Sequence, residues 1–193
     1  MNAKLHHNEQ GVTALETAII LIAFVVVAAV FAFTILSTGT FLTERSKEAA
    51  YSGLQEVRGS MELKGSVVLE TTGQFIVVNV ATVAGGSSVD LSKVTMTYRD
   101  ATTNQDVSIA DATCANAAYP STDYQWSVMR PDGSALSQCI LQSGSIAKLV
   151  VDLGANTVSA NKTFALELKP PTGGTMQIER TAPAQIDAVT DLH

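Results

Sequence analysis

Thr17-Ala18-Ile19-Ile20-Leu21-Ile22-Ala23-Phe24-Val25-Val26-Val27-Ala28-Ala29-Val30-Phe31-Ala32-Phe33 is the stretch on which the fold turns. No residue from Thr17 to Leu42 carries a charge, and none from Ala18 to Phe33 has a polar side chain. Neither proline nor glycine interrupts the run before Gly39. A segment this long and apolar is helical where water is scarce, because a helix pairs its backbone groups within itself. With no polar face, it needs lipid or other helices all around it. A helix from Val12 to Tyr51 would run roughly 60 Å at about 1.5 Å per residue. Alanines 14, 18, 28, 29 and 32 allow close approach of neighbouring helices, and Phe24, Phe31, Phe33 and Phe41 supply bulk between them. Glu44, Arg45, Lys47 and Glu48 mark where the helix leaves its apolar surroundings.

Upstream lie a short polar leader, MNAKLHHNEQ, then Gly11, then a lone acid at Glu16. An ordinary secretory signal has a positive start and an apolar core of about 7–15 residues. This run is longer, its Lys4 is offset by Glu9, and it continues into the helical pattern Thr43-Glu44-Arg45-Ser46-Lys47-Glu48. A plain membrane anchor satisfies the hydropathy but leaves Glu16 unexplained, since an ionisable group at the lip of an apolar helix is costly without a partner. Cleavage after Gly11 would create a positive amine at Val12, close in chain to Glu16. In a stack of identical helices the carboxylate of one copy neutralises the amine of the next and sets the register.

At these residues the chain resembles precursors with a class III leader, the type IV pilin-like superfamily, with Gly11 as the cleavage glycine and Glu16 at mature position five. Within it, Gly11 to Phe33 closely resembles the archaellins, the archaeal flagellins. Leu36-Ser37-Thr38-Gly39, Thr43 to Glu48 and the C-terminal Gly173-Gly174-Thr175-Met176-Gln177-Ile178-Glu179-Arg180-Thr181-Ala182-Pro183 also resemble that family. The strong likeness covers about residues 11–60. Family leaders often carry Lys or Arg just before the glycine, whereas Glu9 and Gln10 stand here.

The resemblance implies a leader at 1–11, an N-terminal helix at 12–60 forming a filament core, and an outer immunoglobulin-like β-sandwich at 61–193. It implies a homopolymer, or a filament shared with a second archaellin, made by a leader peptidase, an assembly ATPase and a membrane platform protein after transient membrane insertion. A motor at the base would rotate the filament for swimming. Gly11 and Val12 are then the cleavage residues, Val12 and Glu16 the charge pair, and Leu15, Ile19, Ile22, Phe24, Val26, Phe31 and Phe33 the core packing. Exposing such a helix to water costs about 25 cal/mol per Å² of apolar surface, whereas moving it from bilayer to filament core changes that term little. An adhesive archaeal pilin, or a monomeric membrane-anchored binding domain, would share several of these features.

The remainder has a soluble character. Over all 193 residues the net charge is −6 and only 16% of residues are charged, below the usual quarter, with the apolar excess concentrated between Glu16 and Glu44. The sequence pI near 4.9 supplies no basic surface for nucleic acid. From Met61 onward, short alternating runs predict strands at Ser66–Glu70, Gln74–Val83, Ser92–Tyr98, Tyr124–Met129, Ile146–Asp152, Thr163–Leu168 and Thr175–Arg180. Turn signals separate them at Gly85-Gly86, Pro131-Asp132-Gly133, Gly154 and Pro170-Pro171-Thr172-Gly173-Gly174. Seven or more short strands without helices predict a sandwich, with residues 100–123 as a long surface loop.

Cys114 and Cys139 are either two core thiols or, outside the cell, a disulfide closing a loop of roughly 25 residues. Asn161-Lys162-Thr163 is the single N-x-S/T sequon, either a polar turn or a glycosylation acceptor at Asn161. Asp100, Asp106 and Asp111 offer oxygen ligands for Ca²⁺ but are equally ordinary solvated loop acids; no metal site is assigned. Trp126 is expected in the core. The histidines, His6, His7 and His193, sit at the chain ends, and no phosphate-cradling loop or HExxH occurs, so no catalytic residue and no cofactor is assigned.

Overall fold

The computed structural model describes residues 6–136 and 138–192, with side chains from residue 13 onward. The chain divides into two compact units, Met1–Tyr51 and Ser52–His193.

Helix α1 spans His6–Arg58. Its apolar side chains are exposed around the whole circumference, Phe24 and Phe33 at 73% each. It is the one helix among the described residues long and apolar enough to cross a membrane. It ends at Gly59, whose amide still donates to the Gln55 carbonyl at 3.0 Å, with the basic Arg58 in the last turn.

Among its described residues the outer unit carries twelve strands. They are β1 (Met61–Leu63), β2 (Val67–Glu70), β3 (Phe75–Thr82), β4 (Val89–Asp90), β5 (Thr95–Asp100), β6 (Asn104–Ile109), β7 (Gln125–Met129), β8 (Ile140–Leu141), β9 (Ile146–Asp152), β10 (Thr163–Lys169), β11 (Met176–Thr181) and β12 (Val189–Leu192). Ten of them form one sheet in the order β11-β10-β5-β6-β7-β9-β3-β2-β12, with β1 added beside β3. Pairing is antiparallel except between β6 and β7, where Ser108 aligns with Gln125. β4 and β8 pair separately, flanking a single 3-10 turn at Leu91–Lys93.

Alternation builds the core. Along β10, Phe164, Leu166 and Leu168 point inward while Thr163, Glu167 and Lys169 are exposed, the period-2 pattern of a strand wet on one face. Their inward side chains join Met96, Tyr98 and Val107 from β5 and β6, and Ile76, Val78, Leu149, Val151 and Trp126 from the other half of the sheet, in one core. Tyr98 and Phe164 stack at 6.2 Å. Strands β3, β7 and β9 are buried on both faces, and Val77, Met129 and Val150 form a second, smaller apolar cluster on the far side.

The expected long loop at 100–123 is corrected. β6 occupies Asn104–Ile109, and the irregular segment begins only at Ala110. Its sequence, NQDVSI, hides the pattern because Val107 is its one buried side chain. The expectation of no helix is likewise corrected by the 3-10 turn, which the Asp90 carboxylate caps.

Candidate functional site

The exposed apolar surface of α1 is the chain's most unusual feature. Each aromatic or branched aliphatic side chain left in water forgoes about 1.5–3 kcal/mol relative to full burial. Leu15, Ile19, Ile22, Val26 and Phe33 lie exposed along one face of this helix and Phe24 and Phe31 on the opposite face, while the equally exposed Ile20, Leu21, Val25, Val27 and Val30 fill the sectors between them. Such a surface is made for covering on every side.

Four threonine hydroxyls along it are satisfied internally. Thr17 Oγ1 donates to the Thr13 and Ala14 carbonyls at 3.0 Å each, and Thr34 Oγ1 to the Val30 carbonyl at 2.7 Å. Thr40 and Thr43 bond back to Ser37 and Gly39 at 2.9 and 2.8 Å. With the hydroxyl satisfied by its own helix, each threonine needs no polar partner from a neighbour, as a dry interface requires. Sequence reading passed over these residues, although Ser/Thr back-bonding inside an apolar helix is the signal that finds them. Further along, Arg45 pairs with Glu48 at 2.9 Å and lies 5.4 Å from the centre of the Phe41 ring, where the surface turns polar.

Glu16 is the single charge between Thr13 and Leu42, one helical turn beyond Val12. Gly11 and Val12 lie within the backbone of α1; the Val12 side chain, and leader residues 1–5, lie outside the described residues.

In the outer unit, Cys114 and Cys139 are joined by a disulfide with their Cα atoms 5.1 Å apart. Asn161 is exposed in the turn before β10, at φ 58°, with its amide bonded to the Ala182 carbonyl at 3.1 Å. The sequon hydroxyl, Thr163 Oγ1, shares a hydrogen bond with Thr181 Oγ1 at 2.8 Å. Trp126 is fully buried in the core.

The structure does not bring Asp100, Asp106 and Asp111 together. Asp106 accepts from the Thr97 hydroxyl across the β5–β6 pair at 3.0 Å. Asp100 and Asp111 belong instead to a repeated device, Asp-x-Ser/Thr, also present at Asp90-Leu91-Ser92 and Asp132-Gly133-Ser134. In each, the carboxylate accepts from the amide and hydroxyl two residues on, for example Thr102 at 2.6 and 2.9 Å and Thr113 at 2.8 and 2.5 Å. These donors hold the Asp90, Asp111 and Asp132 carboxyls below the usual carboxylate range, led in each case by the Ser or Thr hydroxyl. The acids cap turns. Among the described residues no group of three His, Cys, Asp or Glu is arranged to hold a metal ion.

A family model described as archaeal-type flagellin matches residues 11–180. The chain is 32% identical over 202 residues to Probable flagellin 1 of Archaeoglobus fulgidus, covering 100% of this chain and 99% of that relative. To Probable flagellin 1 of Aeropyrum pernix it is 29% identical over 196 residues, covering 92% and 94% of the two chains. Among solved structures, the archaeal flagellum of Methanospirillum hungatei is similar at a TM-score of 0.63 and 26% identity, covering 92% of this chain and 97% of that one. Apolar helix, β-rich outer unit and full-length relatives agree: the chain belongs to the archaeal-type flagellin family, whose members are structural filament subunits and not enzymes.

Proposed function

We propose that this chain is made as a membrane-held precursor, is cleaved after Gly11, and polymerises through α1 into an extracellular filament that drives swimming. The observation that carries this reading is the all-round apolar exposure of α1 beside an outer unit with a complete core of its own. Val12 then carries the new amine, and Glu16 of a neighbouring copy neutralises it, fixing the stagger between helices. Leu15, Ile19, Ile22, Phe24, Val26, Phe31 and Phe33 fill the filament core. Residues 61–193 form the outer domain, with the immunoglobulin-like sandwich as its proposed class and Asn161 as its glycan acceptor.

A leader peptidase, an assembly ATPase and a membrane platform protein are the machinery this route requires, and a second archaellin is compatible with the same shaft. The satisfied threonine hydroxyls support the route, because they leave the helix equally suited to acyl chains and to other helices. N-terminal sequencing of sheared filaments tests it: a sequence beginning at Val12 is expected. Filament-free cells whose chain stays in the membrane with residues 1–11 attached would overturn it.

A further inference from the structure

Three backbone segments meet where α1 ends, all within the unit Ser52–His193. Gly59 is buried there, and a Cβ on it would stand 2.8 Å from Thr172 Oγ1 and closer still to the Thr172 carbonyl. Gly173, at φ +116°, approaches from the other side: a Cβ on it would run into the Gly59 carbonyl group and stand 2.6 Å from the Ser60 nitrogen. Gly86 is the third contact, its would-be Cβ 2.8 Å from the Arg58 carbonyl oxygen. The obstructing atoms are almost all main chain and cannot swing aside as a side-chain tip would.

Hydrogen bonds tie the same place. The Ser87 amide donates to the Arg58 carbonyl at 2.7 Å, and the Val83 amide to the Ser60 carbonyl at 3.2 Å. The Gly174 amide donates to Ser60 Oγ at 3.0 Å, while that hydroxyl donates to the Glu56 carbonyl at 3.2 Å. Helix ends ordinarily leave their last carbonyls to water. Here the Arg58 carbonyl is taken up by Ser87, and the Glu56 carbonyl by the neighbouring Ser60 hydroxyl, which in turn accepts from Gly174. Residues 170–174, which the sequence marks as a turn, therefore grip the helix exit.

We propose that Gly59 and Gly173 form a backbone clamp on the exit of α1, and that filament growth depends on it. Through the clamp, load on the helix passes into the β-domain by main-chain contact and not through a slack linker. The dependence of growth rests on the filament-subunit reading above; the clamp itself does not.

Gly65 supplies a matched control, since it has a positive φ of +83° but open space around it. The test compares Gly173→Ala, Gly65→Ala and Ser60→Ala in the full chain. Sheared filaments are measured for amount and length. Trypsin cleavage after Arg58 is timed on detergent-solubilised chain, and the near-ultraviolet signal of Trp126, the single tryptophan, reports folding. For Gly173→Ala, cleavage about tenfold faster and filament yield about tenfold lower are expected, the factor that accompanies a modest loss of contact energy. Gly65→Ala introduces backbone strain without a contact at the helix exit and should keep the parental cleavage rate after Arg58 and the parental filaments. A folded Gly173→Ala with parental cleavage and parental filaments overturns the clamp.

If Gly173→Ala does not fold, Ser60→Ala decides, because it adds no atom and removes the hydroxyl that links the Gly174 amide to the Glu56 carbonyl. Severalfold faster cleavage supports the clamp, and an unchanged rate overturns it. If the parent forms no filaments, the filament reading fails, while the cleavage measurement still judges the clamp.

Discussion

The Tyr119 hydroxyl donates to Glu70 Oε2 at 2.7 Å, joining an irregular loop to a strand 49 residues earlier. Lys148 Nζ donates to the same hydroxyl at 3.0 Å and lies 5.2 Å from the ring centre, and Phe75 meets the ring edge-on at 5.2 Å. Glu70, Phe75 and Lys148 come from β2, β3 and β9, so one tyrosine spans three adjacent strands. It does so on the face that carries Val77, Met129 and Val150. Through Tyr119 the loop is strapped to the edge of the second apolar cluster, where Phe75 packs.

Removing the strap's anchor should therefore destabilise the outer unit without touching its main core. Tyr119→Ala is expected to cost about 2 kcal/mol, combining one hydrogen bond to a charged group with one aromatic contact. Tyr119→Phe keeps the ring and should cost about 1 kcal/mol. Denaturant unfolding of the detergent-solubilised chain measures both, and equal stability of all three chains would remove the strap from the account.

The Cys114–Cys139 bond pins the start of the same loop, closing a sequence separation of 25 residues. Replacing both cysteines with serine is expected to lower stability by about 3 kcal/mol, mainly by freeing the unfolded chain. Reductant should shift the parent's melting to that of the variant. Melting curves that coincide with and without reductant would contradict the assignment.

Acid should weaken the outer unit through its turn-capping aspartates. At Asp100, burial acts to raise the carboxyl pKa, but donors from Thr102, Thr103 and Tyr98 outweigh it and hold the group below its usual range. A depressed folded value means the contribution is complete above the unfolded value, near pH 4, and disappears as pH falls through the lower folded value. Asp90, Asp111 and Asp132 act in the same direction. The thermal midpoint should hold steady from pH 7 to about pH 5 and drop below about pH 4. Asp100→Asn should lower the midpoint at pH 7 and flatten the acid slope; an unaltered slope would show that this turn does not contribute.

Two substitutions separate processing from assembly. Gly11→Val should leave uncleaved precursor in the membrane fraction. Glu16→Ala should be cleaved and inserted normally but yield about tenfold fewer sheared filaments, the loss expected when one charge pair per subunit is removed. Parental filament yield from Glu16→Ala would give the carboxylate another role.

Much of the outer unit was legible from residue order. Ile146–Asp152 matches β9 at both ends, and the strands near Thr163, Gln74 and Ser66 appear within a residue or two of their expected limits. These are segments whose own alternation decides their state. The strand near Thr175 appears one residue late, and the one near Ser92 was placed less closely, because Leu91–Lys93 forms a 3-10 turn under the Asp90 cap. β1, β4, β6, β8 and β12 escaped because they are two to six residues long or polar along one side, and are strands chiefly through their partners. Of the Asp-x-Ser/Thr caps written in the sequence, Asp100 and Asp111 read there as cation ligands or solvated loop acids and Asp132 as part of a turn, without the capping bond. Their spacing of two residues suits a turn, whereas a metal needs acids from separate segments to converge.

Residue order alone determined that this chain has an apolar helix requiring company on every side. Hydrophobicity and backbone self-pairing are local properties, and a long uncharged run leaves no other solution. It also determined a β-rich remainder, since period-2 alternation is local too. Only the tertiary structure decided that Tyr119 straps three strands, that Cys114 meets Cys139, and that Gly59 and Gly173 close on one another. Each of those joins residues far apart in the chain, and their meeting depends on how the whole sheet pairs and turns.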